Sequence, residues 1–482
     1  MIRNLKPYSA YKDSGVPWLG EVPKHWDVLP NRTLFFETKE RNYPDEQMLS
    51  VTISKGIIKQ SALLSNTSKK DSSNTDKTKY KLVHPGDIAY NKMRAWQGAF
   101  GVSDYRGIVS PAYVVIRARK KANTQYFYYV FRTPSFAKEA ERWSYGITSD
   151  QWSLRPEHFK MIYCCCPPIE EQEAIAHFLN YADRRIRRYI RSKQKLIKLL
   201  EEQKQVVINE AVTRGLGPKV TLKPSGIEDV GHIPEHWVVR PLKSVSKVQT
   251  GITLGKKYLG KKLIEIPYLR VANVQAGYVD LSEVKKIAVL PHEVGGSLLQ
   301  VGDVLMTEGG DPDKLGRGCV WEGQISPCIH QNHVFAVRPD FNQLRPRYLS
   351  ALLGSQYSKN YFLLTAKQTT NLASTNKTKI GQFPVVLPNT DEQDTILEVL
   401  DEKVESIEEA LSRVAKEIVL LREFRTRLIA DVVTGKLDVR EAVSKLPTDV
   451  TDFELSDADL AEDDIVTADD LDFDESLEDE AA

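Results

Sequence analysis

Residues 388–437 open with Pro388-Asn389-Thr390-Asp391-Glu392-Gln393. They then place Leu400, Val404, Ile407, Leu411, Val414, Ile418, Leu421, Leu428 and Val432 at spacings that alternate four and three, broken only by Arg425. That is a coiled-coil seam, in which each apolar knob meets a hole in a facing helix. At a rise of about 1.5 Å per residue, the seam from Leu400 to Val432 spans roughly 50 Å and requires a partner of similar length. Residues 167–216 supply one. A constant shift of 221 brings Pro167, Glu171, Gln172, Ile175, Leu179, Ile186, Leu199, Leu200, Val212, Thr213 and Leu216 onto identical residues. The seam of this copy runs through Leu179, Ile186, Ile190, Ile197 and Leu200, and at Asp183, Lys193 and Lys204 it turns polar. Those polar positions are where the register of the pair is expected to be fixed, or where other subunits touch it.

The repeat extends beyond the helices. Ser14-Gly15-Val16 with Pro23-Lys24-His25-Trp26 recurs as Ser225-Gly226-Ile227 with Pro234-Glu235-His236-Trp237, and Gly86-Asp87 recurs as Gly302-Asp303. A period above 200 residues means duplicated domains and not a solenoid. Between entry segment and helix each half reads as α+β. Strands are expected at 48–53, 87–91 and 113–117, then at 268–271, 303–307 and 333–338, with helices at 123–136 and 346–356. The Gly-Asp pairs read as tight turns entering strands. Thr390 to Gln393 fits a capping box, and Glu170 and Glu171 place acid in the first turn of the other helix.

The chain of 482 residues has 41% hydrophobic and 27% charged residues, as an ordinary globular protein does. Nothing resembles a membrane span or a signal peptide, so a cytoplasmic location and no membrane partner are expected. Cys164, Cys165 and Cys166 read as a buried strand; three adjacent cysteines make no ordinary disulfide framework. The net charge of +1 conceals an asymmetry. Residues 448–482 hold 16 Asp or Glu and no Lys or Arg, so residues 1–447 carry 66 basic against 49 acidic residues, or +17. Such a body suits a polyanion. The acidic tail reads as disordered, serving solubility or competing with nucleic acid for the basic surface.

Enzyme signatures are missing: no phosphate-binding loop, no nucleophile elbow and no HExxH metal motif occurs. His330 and His333 lack the companions of a metal pair. Recognition chemistry is better represented. Lys92, Arg94, Trp96 and Gln97 fall in a loop after a strand. Arg270 and Asn273, Lys314 and Arg317, His330, Gln331 and Asn332, and Lys367, Gln368, Thr369 and Thr370 fall at strand ends and loops of the second half. Arg and Gln can address guanine and adenine edges bidentately, while Lys mostly meets phosphate.

In the entry segments, in Asn91–Gly98, Glu308–Gly318, 330–333 and 367–372, and in the Pro167-Pro168-Ile169-Glu170-Glu171-Gln172 opening of the helix, the chain resembles the specificity subunits of type I restriction–modification systems. The resemblance covers about residues 8–440 and leaves out the acidic tail. It implies an α+β fold with two tandem target-recognition domains, 1–168 and 217–389, and two long antiparallel coiled-coil helices, 169–216 and 390–437, ahead of the 446–482 tail. It further implies a non-catalytic subunit in which each domain reads one half of a split site in double-stranded DNA. Two methyltransferase subunits would carry S-adenosylmethionine, and motor-nuclease subunits would use ATP and magnesium; no cofactor would be bound by this chain. A single-chain endonuclease and a coiled-coil scaffold with non-specific DNA affinity are the rival readings.

Overall fold

The computed structural model describes residues 5–53, 55–64, 76–146, 152–217, 220–255, 262–310, 315–316, 318–368 and 373–446. The 446–482 tail therefore lies outside the described residues except for Leu446. Two compact units form: Met1–Gln194 with Lys416–Ala482, and Lys195–Ala415. Each long helix thus contributes one half to each unit, where separate helical domains were expected.

Both units are built to one plan. In unit one an antiparallel sheet has the order Phe35–Thr38, Tyr113–Ala118, Ile88–Asn91, Phe100–Val102. In unit two the same order is Ser246–Thr250, Val334–Pro339, Val304–Thr307, Gly318–Val320. The central strands are buried along most of their length, which is why they read as apolar runs without alternation. Asp87 accepts from Arg117 Nε at 2.7 Å and Nη2 at 2.9 Å; Asp303 accepts from Arg338 Nε at 2.7 Å and Nη2 at 2.8 Å. Both carboxylates also cap their own turn, accepting from the amides of His84 and Gln300. The Gly-Asp pairs are structural, as expected, and the buried fork ties each turn to a neighbouring strand.

Tyr163–Cys166 pairs with Asp27–Pro30, and Pro384–Leu387 with Val238–Pro241. Cys164, Cys165 and Cys166 are buried in that strand. The helix expected at 123–136 is two helices, Thr124–Phe131 and Pro134–Arg142, because Thr133 caps the Phe136 amide and Pro134 brings no N–H of its own.

The long helices run Ile169–Arg214 and Thr390–Val433. They stop short of the expected 216 and 437 because Gly215 (φ +72°) and Gly435 (φ +80°) turn left-handed there. A Cβ on Gly435 would lie 2.3 Å from Pro23 Cδ, and one on Gly215 would lie 3.2 Å from Trp237, so each helix end seats against a Pro-x-His-Trp segment. Asn389, not Thr390, caps the second helix, accepting from the Glu392 amide at 2.9 Å. The expected capping box is absent because Gln393 is engaged elsewhere: it accepts from the Arg345 amide and donates to the Gln343 and Pro388 carbonyls. Gln172 repeats this with the Asn123 amide and the Lys121 and Pro167 carbonyls.

Within unit one the helices pair antiparallel through Asp183 with Arg425 and Lys193 with Glu417 at 2.7 Å, and within unit two through Lys204 with Glu408 at 2.6 Å. Burial pushes the Asp183 carboxyl up, but Arg187 and Arg425 outweigh it and hold its pKa below the ordinary value. Leu179, Ile186, Ile190, Leu400, Ile407, Val414, Ile418 and Leu428 are buried, whereas Ile197, Leu200, Val404, Leu411 and Leu421 are half-buried.

Candidate nucleic-acid interface

In unit one the residues 92–97 form a short 3₁₀ helix, where a loop was expected. Asn91 nucleates it by accepting from the Met93 amide at 3.0 Å, and Trp96 Nε1 closes it on the Met93 carbonyl at 2.9 Å. Arg94 Nη1 donates to Gln97 Oε1 at 3.2 Å, so the guanidinium and the amide sit side by side. Trp96 meets Trp152 edge-on with ring centroids 5.5 Å apart. Lys92, Arg94, Trp96 and Gln97 are all half-exposed on this one turn. Nearby, Lys81 is 7% exposed and donates to the Tyr113 carbonyl at 2.5 Å. Burial lowers its pKa to about 8, with Lys92, Arg41 and Lys39 adding to the effect against Glu37. A lysine inside a strand gives no sequence signal of this, since the burial comes from pairing with Gly107–Val109.

Unit two assembles its surface from distant stretches. Ile264–Leu269 pairs in parallel with Ile329–His330, and the Gln331 amide donates to the Leu269 carbonyl at 2.9 Å. Gly309–Gly310 pairs with Ala373–Ser374, which pairs with Lys367–Gln368. Glu308 joins the two sets, since His333 Nδ1 lies 2.5 Å from its Oε2 and its carbonyl accepts from the Thr375 amide at 2.7 Å. Gln331 and Asn332 are half-exposed and Lys367 is exposed. Arg270 leans on Glu283, with Nη2 at 3.5 Å from Oε1. Lys314, Arg317, Thr369 and Thr370 lie outside the described residues.

Two expected contacts need correction. Asn273 is 3% exposed; its Oδ1 accepts from the Arg270 amide and its Nδ2 donates to the Asp280 and Glu283 carbonyls, so its amide is fully used in holding the loop. His330 is fully buried, Nδ1 lies 2.6 Å from the Val334 carbonyl, and burial lowers its pKa. Both side chains are buried. Loop composition suggested both, but polar side chains near turns serve the backbone as often as a partner. Glu308 and Trp152 were not singled out from sequence, and only the chain's folding sets them beside residues that were.

Among the described residues, no group of three His, Cys, Asp or Glu is placed to hold a metal ion. Burial pushes the Cys165 and Cys166 thiols up to about 11, away from the thiolate that a metal would need. No helix among the described residues is long and apolar enough to cross a membrane.

The model of the type I restriction modification DNA specificity domain matches the chain twice, over residues 26–199 and 234–417. Similar chains include one from Methanocaldococcus jannaschii provisionally named the MjaX type I restriction enzyme specificity subunit, 26% identical over 43% of this chain and 47% of its own length. The EcoKI type I restriction enzyme specificity subunit of Escherichia coli is 24% identical over 61% of this chain and 65% of its own. These matches span about half to two thirds of those relatives. A chain from a solved structure, described for complex assembly and conformational transition of a type I R-M system, superposes with a TM-score of 0.65 at 18% identity. That superposition covers 86% of this chain and 99% of the other, and it bears out the fold.

Proposed function

The chain belongs to the family of type I restriction modification DNA specificity domains, and we propose that it is the sequence-reading subunit of such a system, each unit reading half of a split double-stranded site. The observation that carries this reading is one frame bearing two unlike surfaces. The sheets share order, the Asp–Arg forks and the Gln172 and Gln393 anchors repeat, yet after equivalent strands unit one places a 3₁₀ helix and unit two a small sheet. A shared frame with different chemistry suits one task performed on two sequences.

In this reading Arg94 and Gln97 address base edges and Lys92 addresses phosphate in unit one, with Trp96 beside them. Arg270, Gln331, Asn332, Lys367 and Gln368 do so in unit two, joined by Lys314, Arg317, Thr369 and Thr370. The chain itself performs no catalysis. Two methyltransferase subunits carrying S-adenosylmethionine flank the long helices, and motor-nuclease subunits bring ATP and magnesium; the complex works in the cytoplasm. The helices set the gap between half-sites.

The test exchanges residues 30–160 for the equivalent segment of a relative and reads methylation across the host genome by single-molecule sequencing. One half of the recognised site is expected to change, with the other half and the gap intact. A change in both halves refutes the modular reading. Metal-dependent cleavage by the purified chain alone would replace it with the single-chain nuclease, and fully salt-labile binding without sequence preference would favour the scaffold.

A further inference from the structure

We propose that the outer face of the first long helix in unit one, carried by Arg184, Arg185 and Arg188, is the seat of the chain's own acidic C-terminal segment, residues 448–482. The face is built for an anion. Residues 184–194 hold six Arg or Lys and no acid. Ile186 and Ile190, 4% and 7% exposed, turn into the helix pair. Arg184 and Arg188 stand two positions either side of Ile186, roughly 200° around the helix, and both are exposed. Like charges four residues apart destabilise a helix unless something compensates them.

Among the described residues nothing compensates these two positions. Arg187 is tied to Asp183, and Arg185 donates to the Tyr181 hydroxyl at 3.3 Å. Arg184 and Arg188 have no carboxylate partner among the described residues. Elsewhere in unit one Arg106, Arg117 and Arg440 each have one, in Glu46, Asp87 and Asp438. The face also offers apolar surface: Tyr189 is 51% exposed, with the Arg185 guanidinium 5.9 Å from its ring centroid.

The segment has the complementary chemistry, with 16 carboxylates, no cation, and Phe453, Leu460, Ile465 and Phe473 spread among them. It also starts in the right place. The short helix Arg440–Val443 lays Arg440 over the Tyr8 ring at 5.1 Å, and the Tyr8 hydroxyl donates to Glu171 at 2.6 Å. The short helix that precedes the segment therefore lies beside the first turn of the very helix that carries the basic face. From Glu171 to Arg184 is about 20 Å along that helix. A flexible chain of this length has an r.m.s. reach of about 33 Å, and tethering at such range gives millimolar effective concentration. Individual surface pairs are weak, but many carboxylates held this close compete with any polyanion for the face. This inference does not depend on which bases the units read.

The experiment uses the full chain carrying R184K and R188K, which keep the charge and add amines for zero-length carbodiimide coupling. Amide links from positions 184 and 188 to carboxylates of 448–482 are expected within one molecule, enriched about fivefold over links from exposed Lys12, which lies near the root of the same tether but off the basic face, so that the excess reports ion pairing at the face. They should vanish in about 1 M sodium chloride, where the Debye length is about 3 Å. Links no more frequent than those of Lys12, or links only between isotopically distinct molecules, overturn the proposal. So does protection of these lysines from acetylation by duplex DNA without any link to the tail, which would give the face to nucleic acid.

Discussion

Unit one presents its candidate surface on a single turn, residues 92–97, whereas unit two gathers its own from Arg270, the 330–333 stretch, and a small sheet joining 309–310, 373–374 and 367–368. The contiguous surface keeps all four of its expected residues half-exposed. The assembled one buries Asn273 and His330 as the joints that hold it together. A site drawn from several segments needs internal polar residues to fix the segments to one another, and those residues look like contacts when read in a line. The same inequality appears beneath the frame. Glu171, 7% exposed, accepts from the Tyr8 hydroxyl at 2.6 Å and Trp26 Nε1 at 3.1 Å and lies 2.8 Å from His25 Nε2. The Glu392 side chain, 28% exposed, has His236 as its one polar partner among the described residues.

That contrast can be broken most sharply at the two glutamates. Glu171→Ala strands a buried hydroxyl and an indole N–H and is expected to lower stability by about 3 kcal/mol; Glu392→Ala loses an exposed pair and should cost less than about 1 kcal/mol. Denaturant midpoints of the two variants decide it, and equal losses would mean that the units are anchored alike.

A second asymmetry lies five residues before each turn glycine, where unit one buries Lys81 and unit two buries Ser297. Lys81 has a folded-state pKa of about 8, below its ordinary 10.5. The unfolded chain therefore binds more protons between those values, and stability should rise with pH across that window. Lys81→Met removes the buried charge and is expected to stabilise the protein by on the order of 2 kcal/mol at pH 7, an advantage that closes above about pH 10.5. Thermal unfolding followed from pH 7 to 11 checks the sign. A flat difference would show that the amine is hydrated.

The remaining effects concern readout. Arg94→Ala should weaken binding by about 1–3 kcal/mol and relax preference at one base pair, while Lys92→Ala should lower the salt slope by about 1 without changing preference. Asn273→Ala should leave base preference untouched and only loosen unit two. Binding to a panel of single-base variants separates the three, and a shifted preference from Asn273→Ala would return that residue to the interface.

The duplicated helices, the Gly-Asp turns and the buried cysteine strand were legible because each rests on local periodicity or turn chemistry, which neighbouring residues dictate. The repeat also marked Glu171, Gln172, Glu392 and Gln393, but local rules read Glu392 and Gln393 as part of a capping box and Glu171 as first-turn acid, and gave Gln172 no role. Their partners, Tyr8 and Asn123 in one unit and Arg345 in the other, lie about 50 to 160 residues away. Likewise, nothing near Lys81, His330 or Asn273 in the chain announces burial. The sequence by itself determined that one architecture occurs twice and is joined by a long seam. Only the tertiary structure decided which polar side chains are spent inside and which remain for a partner, because desolvation depends on strands brought together from far along the chain.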